Sequence, residues 1–242
     1  MENIINNVFG NDEIGRNLDL DESMLQVNEA CINTKAYWES HNVYRTRDKI
    51  KSDNWLDTFL QEIDNCKTPI IDLGCGSGNN TLTLLNKGKT VIPCDFSKNA
   101  IKNIHLNFPE LERVEQFDLL NGLPFENDFT DIIIADLCLH YFTIKQTEYI
   151  LNDIMRVLKS GGILLARINS IQDVNYGAGK GKEIERHLYI TEDRRYKRFF
   201  DEDDIWNIFG KHNIEYMKEN TMNRYLSEKI LWSLKIRFFK EN

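Results

Sequence analysis

A short apolar strand that runs directly into a glycine-rich turn constrains the fold of this chain more than any other feature. The strand, Ile70–Leu73, carries Asp72 in an otherwise aliphatic run, and glycines follow at every second position, Gly74, Gly76 and Gly78. Because glycine has no Cβ atom, a ligand can lie directly against the backbone of such a turn. In open α/β sheets this turn lies at the carboxyl edge of the strands, where ligands bind. The run therefore predicts a ligand site near the start of an α/β domain.

A carboxylate ends the next predicted strand. Asp95 directly follows the apolar run at 90–94. A carboxylate at this place can accept hydrogen bonds from the two hydroxyls of a ribose. The glycine spacing is G-x-G-x-G and not the G-x-G-x-x-G of dinucleotide-binding proteins, so a pyrophosphate is not expected. Together the turn and Asp95 predict a nucleoside in the crevice between adjacent strands.

Short apolar strands alternate with helices over residues 69–168. The predicted strands are 69–73, 90–94, 113–117, 131–137 and 162–168, and the predicted helices are 79–87, 97–107 and 144–159. This alternation is typical of a parallel sheet covered by helices on both faces. A helix at 201–209 then precedes two strand-like runs, 213–220 and 228–239, whose short connection permits only antiparallel pairing. We predict a doubly wound α/β fold with a seven-stranded, mostly parallel sheet and an antiparallel last strand.

Composition and charge indicate the class of partner. The 242 residues carry a formal net charge of -8, so no global positive field gathers phosphate groups. We therefore expect the substrate to be a small molecule and disfavour a nucleic acid. The sequence has no signal peptide and no apolar run of membrane-spanning length, so we expect a cytoplasmic protein without membrane contact. Five cysteines lack a C-x-x-C pair and no cluster has metal-ligand spacing, so we expect reduced thiols and no metal, and leave the oligomeric state open.

The glycine-rich run resembles motif I of the class I S-adenosylmethionine-dependent methyltransferases. Asp118 after the third strand, Asp136 at the end of the fourth and the helix stop Leu158–Gly162 also match positions of that family, and the resemblance covers about residues 50–240. It implies a Rossmann-like fold, S-adenosylmethionine as cofactor, S-adenosylhomocysteine as product, and methyl transfer by in-line displacement. We expect residues 1–50 to form an amino-terminal arm over the cofactor site and residues 51–242 to form the methyltransferase domain.

The resemblance also implies which residues hold the cofactor. The three glycines would line its methionine and ribose portions, and Asp72 would order the turn and meet the amino group. Asp95 would hold the ribose hydroxyls and Phe96 would pack on adenine. Asp118 would recognise the adenine amino edge, unless it is a solvated loop residue. The full predicted set is Asp72, Gly74, Gly76, Gly78, Asn79, Asp95, Phe96, Ser97, Asp118, Leu119, Asp136 and Leu137.

His140 and Tyr141 follow the fourth strand and are the predicted catalytic residues. A histidine titrates near neutral pH, and a base is needed only if the accepting atom arrives protonated. The alternative is that His140 packs on the cofactor or caps the next helix. The neighbouring run Asp136–Leu139 differs from the Asp/Asn-Pro-Pro-aromatic motif of amino-methylating nucleic-acid enzymes, which argues against base methylation.

Two regions are expected to form the acceptor pocket. The basic, glycine-rich segment 171–198 could close as a lid over an anionic acceptor, or be an ordinary solvated loop. Tyr37 and Trp38 could exclude water from the cofactor, or could merely pack the amino-terminal helix onto the sheet. The predicted pocket residues are Tyr37, Trp38, Arg47, Arg167, Asn169, Tyr176 and His187.

Three functions remain open from the sequence. The first is methyl transfer to an oxygen, nitrogen or sulfur atom of a small molecule. The second is a protein or RNA methyltransferase, which the lack of a recognisable recognition domain disfavours. The third is a module that binds S-adenosylmethionine without catalysis, because a complete cofactor motif does not prove turnover.

Overall fold

The computed structural model describes residues 22–42, 44, 46–51 and 53–240. The sequence before residue 22, and with it much of the predicted arm, lies outside the described residues. Among the described residues no helix is long and apolar enough to cross a membrane.

A seven-stranded sheet forms the centre of the molecule. Its strands are β1 (Ile70–Leu73), β2 (Val91–Asp95), β3 (Glu115–Gln116), β4 (Thr130–Asp136), β5 (Leu158–Asn169), β9 (Asn213–Met222) and β10 (Lys229–Arg237). Their order in the sheet is β3-β2-β1-β4-β5-β10-β9, and only β10 and β9 introduce antiparallel pairings. The predicted doubly wound, mostly parallel fold is therefore confirmed.

Six α-helices flank this sheet in the described part of the chain. They are α1 (Glu22–His41), α2 (Leu60–Asn65), α3 (Asn79–Asn86), α4 (Lys98–Asn107), α5 (Ile144–Val157) and α6 (Glu202–Phe209). Thr143 begins α5 with a reciprocal capping box to Gln146, and Asp201 begins α6 in the same way with Asp204. Short 3-10 helices lie at Asn54–Phe59, Leu119–Asn121 and Leu139–Tyr141.

The register of the parallel strands brings their carboxyl ends to one edge. Leu73 of β1 pairs with Cys94 of β2 and with Ala135 of β4, and Asp136 pairs with Arg167 of β5. The turn after β1 and the residues after β2 and β4 therefore meet at the same place. β10 begins at this edge because it runs antiparallel to β5, so the β9–β10 loop also lies there.

Two parts of the fold differ from the sequence prediction. α5 ends at Val157 and β5 begins at Leu158, because Leu158 already has an extended backbone. Within 171–198 the structure forms a small antiparallel sheet of β6 (Lys182–Glu185), β7 (Leu188–Ile190) and β8 (Tyr196–Arg198). This sheet packs on α1, where Thr34 Oγ1 accepts a hydrogen bond from Tyr196 N at 2.9 Å.

Candidate active site

A cavity of about 660 Å³ lies at the carboxyl edge of β1, β2 and β4. This volume is within the range of small-molecule and cofactor sites. The predicted residues that line it are Trp38, Gly74, Gly76, Asn79, Asp95, Phe96, Asp118, Leu119, Asp136, Leu137, Tyr141 and Tyr176. Other lining residues come from α1, including Thr34 and Lys35, and from the β9–β10 loop, including Arg224 and Tyr225.

The three glycines of the turn have different physical roles. All have a left-handed backbone, and a Cβ on Gly74 would lie 2.6 Å from Cys138 Cβ, while one on Gly78 would lie 2.6 Å from the Phe108 ring. A Cβ on Gly76 would meet no described atom closer than 3.9 Å, so this position is open towards the cavity. Gly78 does not line the cavity, because it packs against α4 and the phenylalanine that ends it.

Asp95 joins the end of β2 to this turn. Its Oδ2 accepts a hydrogen bond from Gly76 N at 3.0 Å, and its Oδ1 accepts one from Ser97 N at 2.9 Å. Burial raises the pKa of the Asp95 carboxyl, although these two hydrogen bonds oppose the rise. Ser97 itself caps α4 by accepting a hydrogen bond from Ala100 N, and it does not line the cavity.

Asp72 lies beneath the turn and not in the cavity wall. Thr81 Oγ1 donates to its Oδ2 at 2.7 Å, while its buried Oδ1 has no hydrogen-bond partner among the described residues. Burial, with a smaller contribution from the charge of Asp136, raises the pKa of Asp72 to about 7. The structure therefore places a carboxyl of nearly neutral pKa, with one unsatisfied oxygen, under the glycine-rich backbone.

Asp118 is held at the other end of the cavity. It caps the 3-10 helix at Leu119–Asn121 by accepting a hydrogen bond from Leu120 N at 3.0 Å, and it forms an ion pair with Lys35 of α1. Phe96, Phe117 and Leu119 provide apolar surface beside it. Asp118 is thus a fixed residue of the cavity wall and not a solvated loop residue.

A buried ion-pair cluster forms the wall at the end of β4. Arg167 donates to both carboxylate oxygens of Asp136 at 2.7 Å and to Asp53 Oδ2 at 2.7 Å, and its guanidinium lies 4.6 Å from the centre of the Trp55 ring. Burial alone would raise the pKa of Asp136, but the charge and hydrogen bonds of Arg167 and the charge of Arg224 lower it to about 2. Arg167 was predicted to line the acceptor pocket, but these bonds hold it behind Asp136.

The predicted catalytic pair is split by the structure. The ring of Tyr141 lines the cavity and packs against Trp38 at 5.7 Å, whereas His140 is only 2% exposed and lies outside the cavity. Burial lowers the pKa of His140 well below its usual value and raises the pKa of Tyr141. At neutral pH the histidine is therefore uncharged and a weak proton acceptor, and the tyrosine keeps its proton.

Most predicted acceptor residues are paired elsewhere. Tyr37 stacks on His41 beneath Arg195. Arg47 forms an ion pair with Glu110, and Asn169 Nδ2 donates to Arg198 O at 3.3 Å. Only Trp38 and Tyr176 of that set reach the cavity wall.

His187 lies at the base of α6 and not in the cavity. Its Nδ1 is 2.6 Å from Asp204 Oδ2, and Asp201 is close by, so these three residues bring potential metal ligands together in the described chain. Arg186 donates to both carboxylates, and the helix cap uses them as well. This cluster is accordingly an ion-pair network around a helix start.

Sequence reasoning missed Arg224 and Tyr225 of the β9–β10 loop. No local sequence pattern predicts that these two residues reach the cavity, because their position depends on the pairing of β10 with β5. The cavity residues Thr34 and Lys35 were also missed, and they lie on α1, which extends to His41.

Comparison with known proteins identifies the domain. A family profile described as "Methyltransferase domain" matches residues 71–166, which include the glycine-rich turn, Asp95 and Asp136. This chain carries a class I S-adenosylmethionine-dependent methyltransferase domain. A solved methyltransferase structure from Methanosarcina mazei has the same fold, with a TM-score of 0.61 and 18% identity over 72% of this chain and 93% of that one. The predicted family and cofactor are confirmed.

Curated relatives of this chain carry more specific names. The tRNA N(3)-methylcytidine methyltransferase Mettl2 of Drosophila melanogaster is 30% identical over 189 residues, which cover 70% of this chain and 58% of that protein. The human tRNA N(3)-cytidine methyltransferase METTL6 is 24% identical over 211 residues, 77% of this chain and 73% of that protein. The chain spans about half the length of most of the curated relatives that it matches.

These relatives overturn the prediction about the acceptor. We expected a small-molecule acceptor and disfavoured nucleic acid because the net charge is -8. That expectation is wrong, since the named relatives are tRNA methyltransferases. Net charge describes the long-range field of the whole chain, whereas recognition depends on the charges at the cavity. Lys35 and Arg224 lie in the cavity wall although the chain is acidic overall, and each is paired with a carboxylate there.

Proposed function

We propose that this methyltransferase transfers a methyl group to N3 of a cytidine in tRNA. The match to a named tRNA N(3)-methylcytidine methyltransferase over 70% of the chain carries this proposal. A cavity with aromatic walls formed by Trp38, Tyr141 and Tyr225 supports it, because exposed nucleobases are bound by stacking on aromatic rings.

The cavity wall fits the cofactor. The open position at Gly76 lets a ligand approach the backbone, and the carboxylate oxygens of Asp95 have lone pairs left to accept from ribose hydroxyls. Phe96 and Leu119 would pack on adenine beside Asp118. Each of these residues already lies in the cavity wall.

The amino group of the cofactor would lie close to Asp72. Because Asp72 lies beneath the turn, its unpartnered Oδ1 would accept from the ammonium group through a bridging water. Asn79 and Leu137 would complete the wall, while Gly78 and Ser97 would act through the packing of the turn and the cap of α4.

The predicted domain division is retained as part of this proposal. Residues 1–50 would act as an arm over the cofactor site, and residues 51–242 as the methyltransferase domain. Lys35 and Trp38 of α1 lie in the cavity wall, which supports the covering role of the described part of the arm.

The chemistry proposed at N3 needs no proton acceptor. The bound cofactor supplies a methyl group on a positively charged sulfur, and an uncharged ring nitrogen has a lone pair that can attack it. A neutral His140 and a protonated Tyr141 are compatible with such a reaction. The methylated base gains positive charge, and Asp136 stays ionised because its pKa is about 2, so the cluster that it forms with Arg167 and Arg224 adds no net positive charge at the cavity wall.

The absence of an Asp/Asn-Pro-Pro-aromatic motif after β4 also agrees with this site of methylation. That motif belongs to enzymes that methylate exocyclic amino groups, whose lone pair is delocalised into the ring. A ring nitrogen such as N3 presents its lone pair in the plane of the base. The missing motif therefore disfavours methylation of exocyclic amino groups and leaves a ring nitrogen such as N3 open.

A comparison of acceptors tests the proposal. The protein is incubated with methyl-labelled S-adenosylmethionine and, in separate reactions, with total tRNA, free cytidine or a protein mixture. We expect label in tRNA, and much less in cytidine, which lacks the phosphate and sugar contacts that position a base. Label only in protein, or none in any acceptor from a protein that binds S-adenosylhomocysteine, would overturn the proposal.

A further inference from the structure

We propose that Arg224 recognises the acceptor base by donating a hydrogen bond to an uncharged carbonyl oxygen next to the reacting nitrogen. In cytosine this oxygen is O2. The inference rests on the proposed function and adds to it the residue that selects and orients the base.

The position of Arg224 follows from the sheet topology. The loop 223–228 joins β9 to β10 at the carboxyl edge of the sheet, and Arg224, Tyr225 and Leu226 of this loop line the cavity. The side chain of Arg224 is only 11% exposed. A cation is thus held inside the cavity wall by an element that contributes nothing to the cofactor motif.

The hydrogen bonds of Arg224 are incomplete. Its Nη2 lies 3.4 Å from Asp136 Oδ2, while its Nη1 is buried and has no hydrogen-bond partner in the described part of the chain. A guanidinium has five N–H donors, and leaving a buried charged donor unsatisfied is costly. A ligand oxygen in the cavity would satisfy Nη1.

The charges around Arg224 favour an uncharged oxygen over a phosphate. Asp136 is bound by both Arg167 and Arg224, and Asp53 is the second partner of Arg167. This group of two arginines and two carboxylates is already neutral overall. A carbonyl oxygen can accept from Nη1 without adding a further charge to a buried cluster.

The surroundings of Arg224 suit a flat ring. The Arg224 guanidinium lies 5.6 Å from the centre of the Tyr225 ring, and the rings of Tyr225 and Tyr176 are 5.7 Å apart. Tyr176 also holds the loop by donating from its hydroxyl to Ser227 O at 3.0 Å. Aromatic side chains bind bases by stacking, and O2 lies next to N3 in cytosine, so a bond from Arg224 to O2 would orient the reacting nitrogen.

A double-mutant cycle tests the inference, with one change made at Arg224 of the protein and the other at the oxygen of the base. Wild-type protein and the Arg224→Met variant are each assayed on tRNA with cytidine or 2-thiocytidine at the methylated position, since sulfur is a weaker acceptor than oxygen. We expect kcat/KM to fall by ~10- to 100-fold for either change alone, the size of one hydrogen bond to a charged group. The two changes together should cause little further loss, because they remove the same bond.

Several outcomes would overturn the inference. Losses that multiply in the double change would mean that Arg224 acts through Asp136 or contacts a phosphate. An unchanged rate in Arg224→Met would also contradict it. If wild-type protein does not methylate unmodified tRNA, both the proposed function and the inference fail. If it does methylate tRNA and only the Arg224 results disagree, the inference fails and the proposed function stands.

Controls keep folding apart from recognition. Arg237→Met makes the same change on β10 at an arginine paired with Glu215, and it should leave kcat/KM within about twofold. Arg224→Met should still bind S-adenosylhomocysteine with an affinity close to wild type, which would show that the variant is folded. If Arg224→Met does not fold, Arg224→Lys replaces it, because lysine keeps the charge. The combined loss in kcat/KM of Arg224→Lys on 2-thiocytidine tRNA should again be smaller than the product of the two separate losses.

Discussion

The carboxylate of Asp95 accepts a hydrogen bond from the backbone N–H of Gly76 at 3.0 Å. The end of β2 is thereby fixed to the turn after β1, so two strands that are separate in sequence build one wall of the cavity. In this protein Asp95 orders the glycine-rich turn, a role that the sequence analysis gave to Asp72.

Replacement of Asp95 tests this wall. In Asp95→Asn an amide must face the two N–H donors of Gly76 and Ser97, so we expect S-adenosylhomocysteine to bind ~10- to 100-fold more weakly by calorimetry. The control Asp57→Asn makes the same change at an exposed carboxylate paired with Lys87. Equal affinity in both variants would exclude Asp95 from the cofactor site.

Gly76 should affect binding more than stability. Gly76→Ala and Gly88→Ala both place alanine in a left-handed backbone, φ +53° and +70°, where no atom crowds the new Cβ, so each should lose about 1–2 kcal/mol of unfolding free energy. Only the Cβ at residue 76 enters the cavity. We expect weaker S-adenosylhomocysteine binding in Gly76→Ala alone. Similar affinities in the two variants would contradict a close contact between the ligand and the backbone of Gly76.

Asp72 should make the stability of the ligand-free protein depend on pH. Its folded pKa of about 7 lies above the ordinary value of 3.8, so the folded state holds the proton more tightly and loses stability as pH rises between these values. Asp72→Asn removes this loss. Its gain in unfolding free energy over wild type should grow from about pH 4 to about pH 7 and level off above that, reaching ~2–4 kcal/mol.

The same variant separates stability from binding. Asp72→Asn should bind S-adenosylhomocysteine more weakly at about pH 8, because the amide carries no negative charge to meet the ammonium group. A pH-independent stability difference would contradict the raised pKa. Unchanged affinity would mean that the amino group lies elsewhere.

Arg167 should be a major contributor to stability. Arg167→Met leaves Asp136 without its bidentate partner in a buried site, so urea denaturation should show a loss of at least ~3 kcal/mol. Arg194→Met makes the same change at an exposed pair with Glu29 and should lose less than about 1 kcal/mol. Comparable losses in the two variants would show that the Asp136 cluster adds little to folding.

The sequence predicted the parts of the site that depend on local pattern. The run from β1 through the glycine-rich turn to α3, and Asp95 at the end of β2, follow from the local strand and helix pattern. Asp118 and Asp136 were singled out by the resemblance to the methyltransferase family. Parallel pairing then brings those strand ends together, so Asp95, Asp118 and Asp136 reach one cavity. The local pattern, the family resemblance and the fold class together were sufficient to place these residues at one cavity, while their contacts with the cofactor stay predictions.

The rest of the site depends on packing between distant segments. Arg224 reaches the cavity only because β10 pairs with β5, and Arg167 is withdrawn from it because Asp136 and Asp53 both bind the guanidinium. His187 follows β5 in sequence, but its segment folds into a separate small sheet against α1. The small-molecule acceptor was inferred from net charge, and the relatives named as tRNA methyltransferases contradict it.

The identity of the methylated nucleoside tests the central claim most directly. Total tRNA is incubated with S-adenosylmethionine and either wild-type protein or Asp95→Asn, digested to nucleosides and analysed by mass spectrometry against an N3-methylcytidine standard. We predict new N3-methylcytidine with wild-type protein and strongly reduced formation with the variant. Methylation of a different nucleoside, or no methylation of tRNA by a protein that binds S-adenosylhomocysteine, would contradict the account.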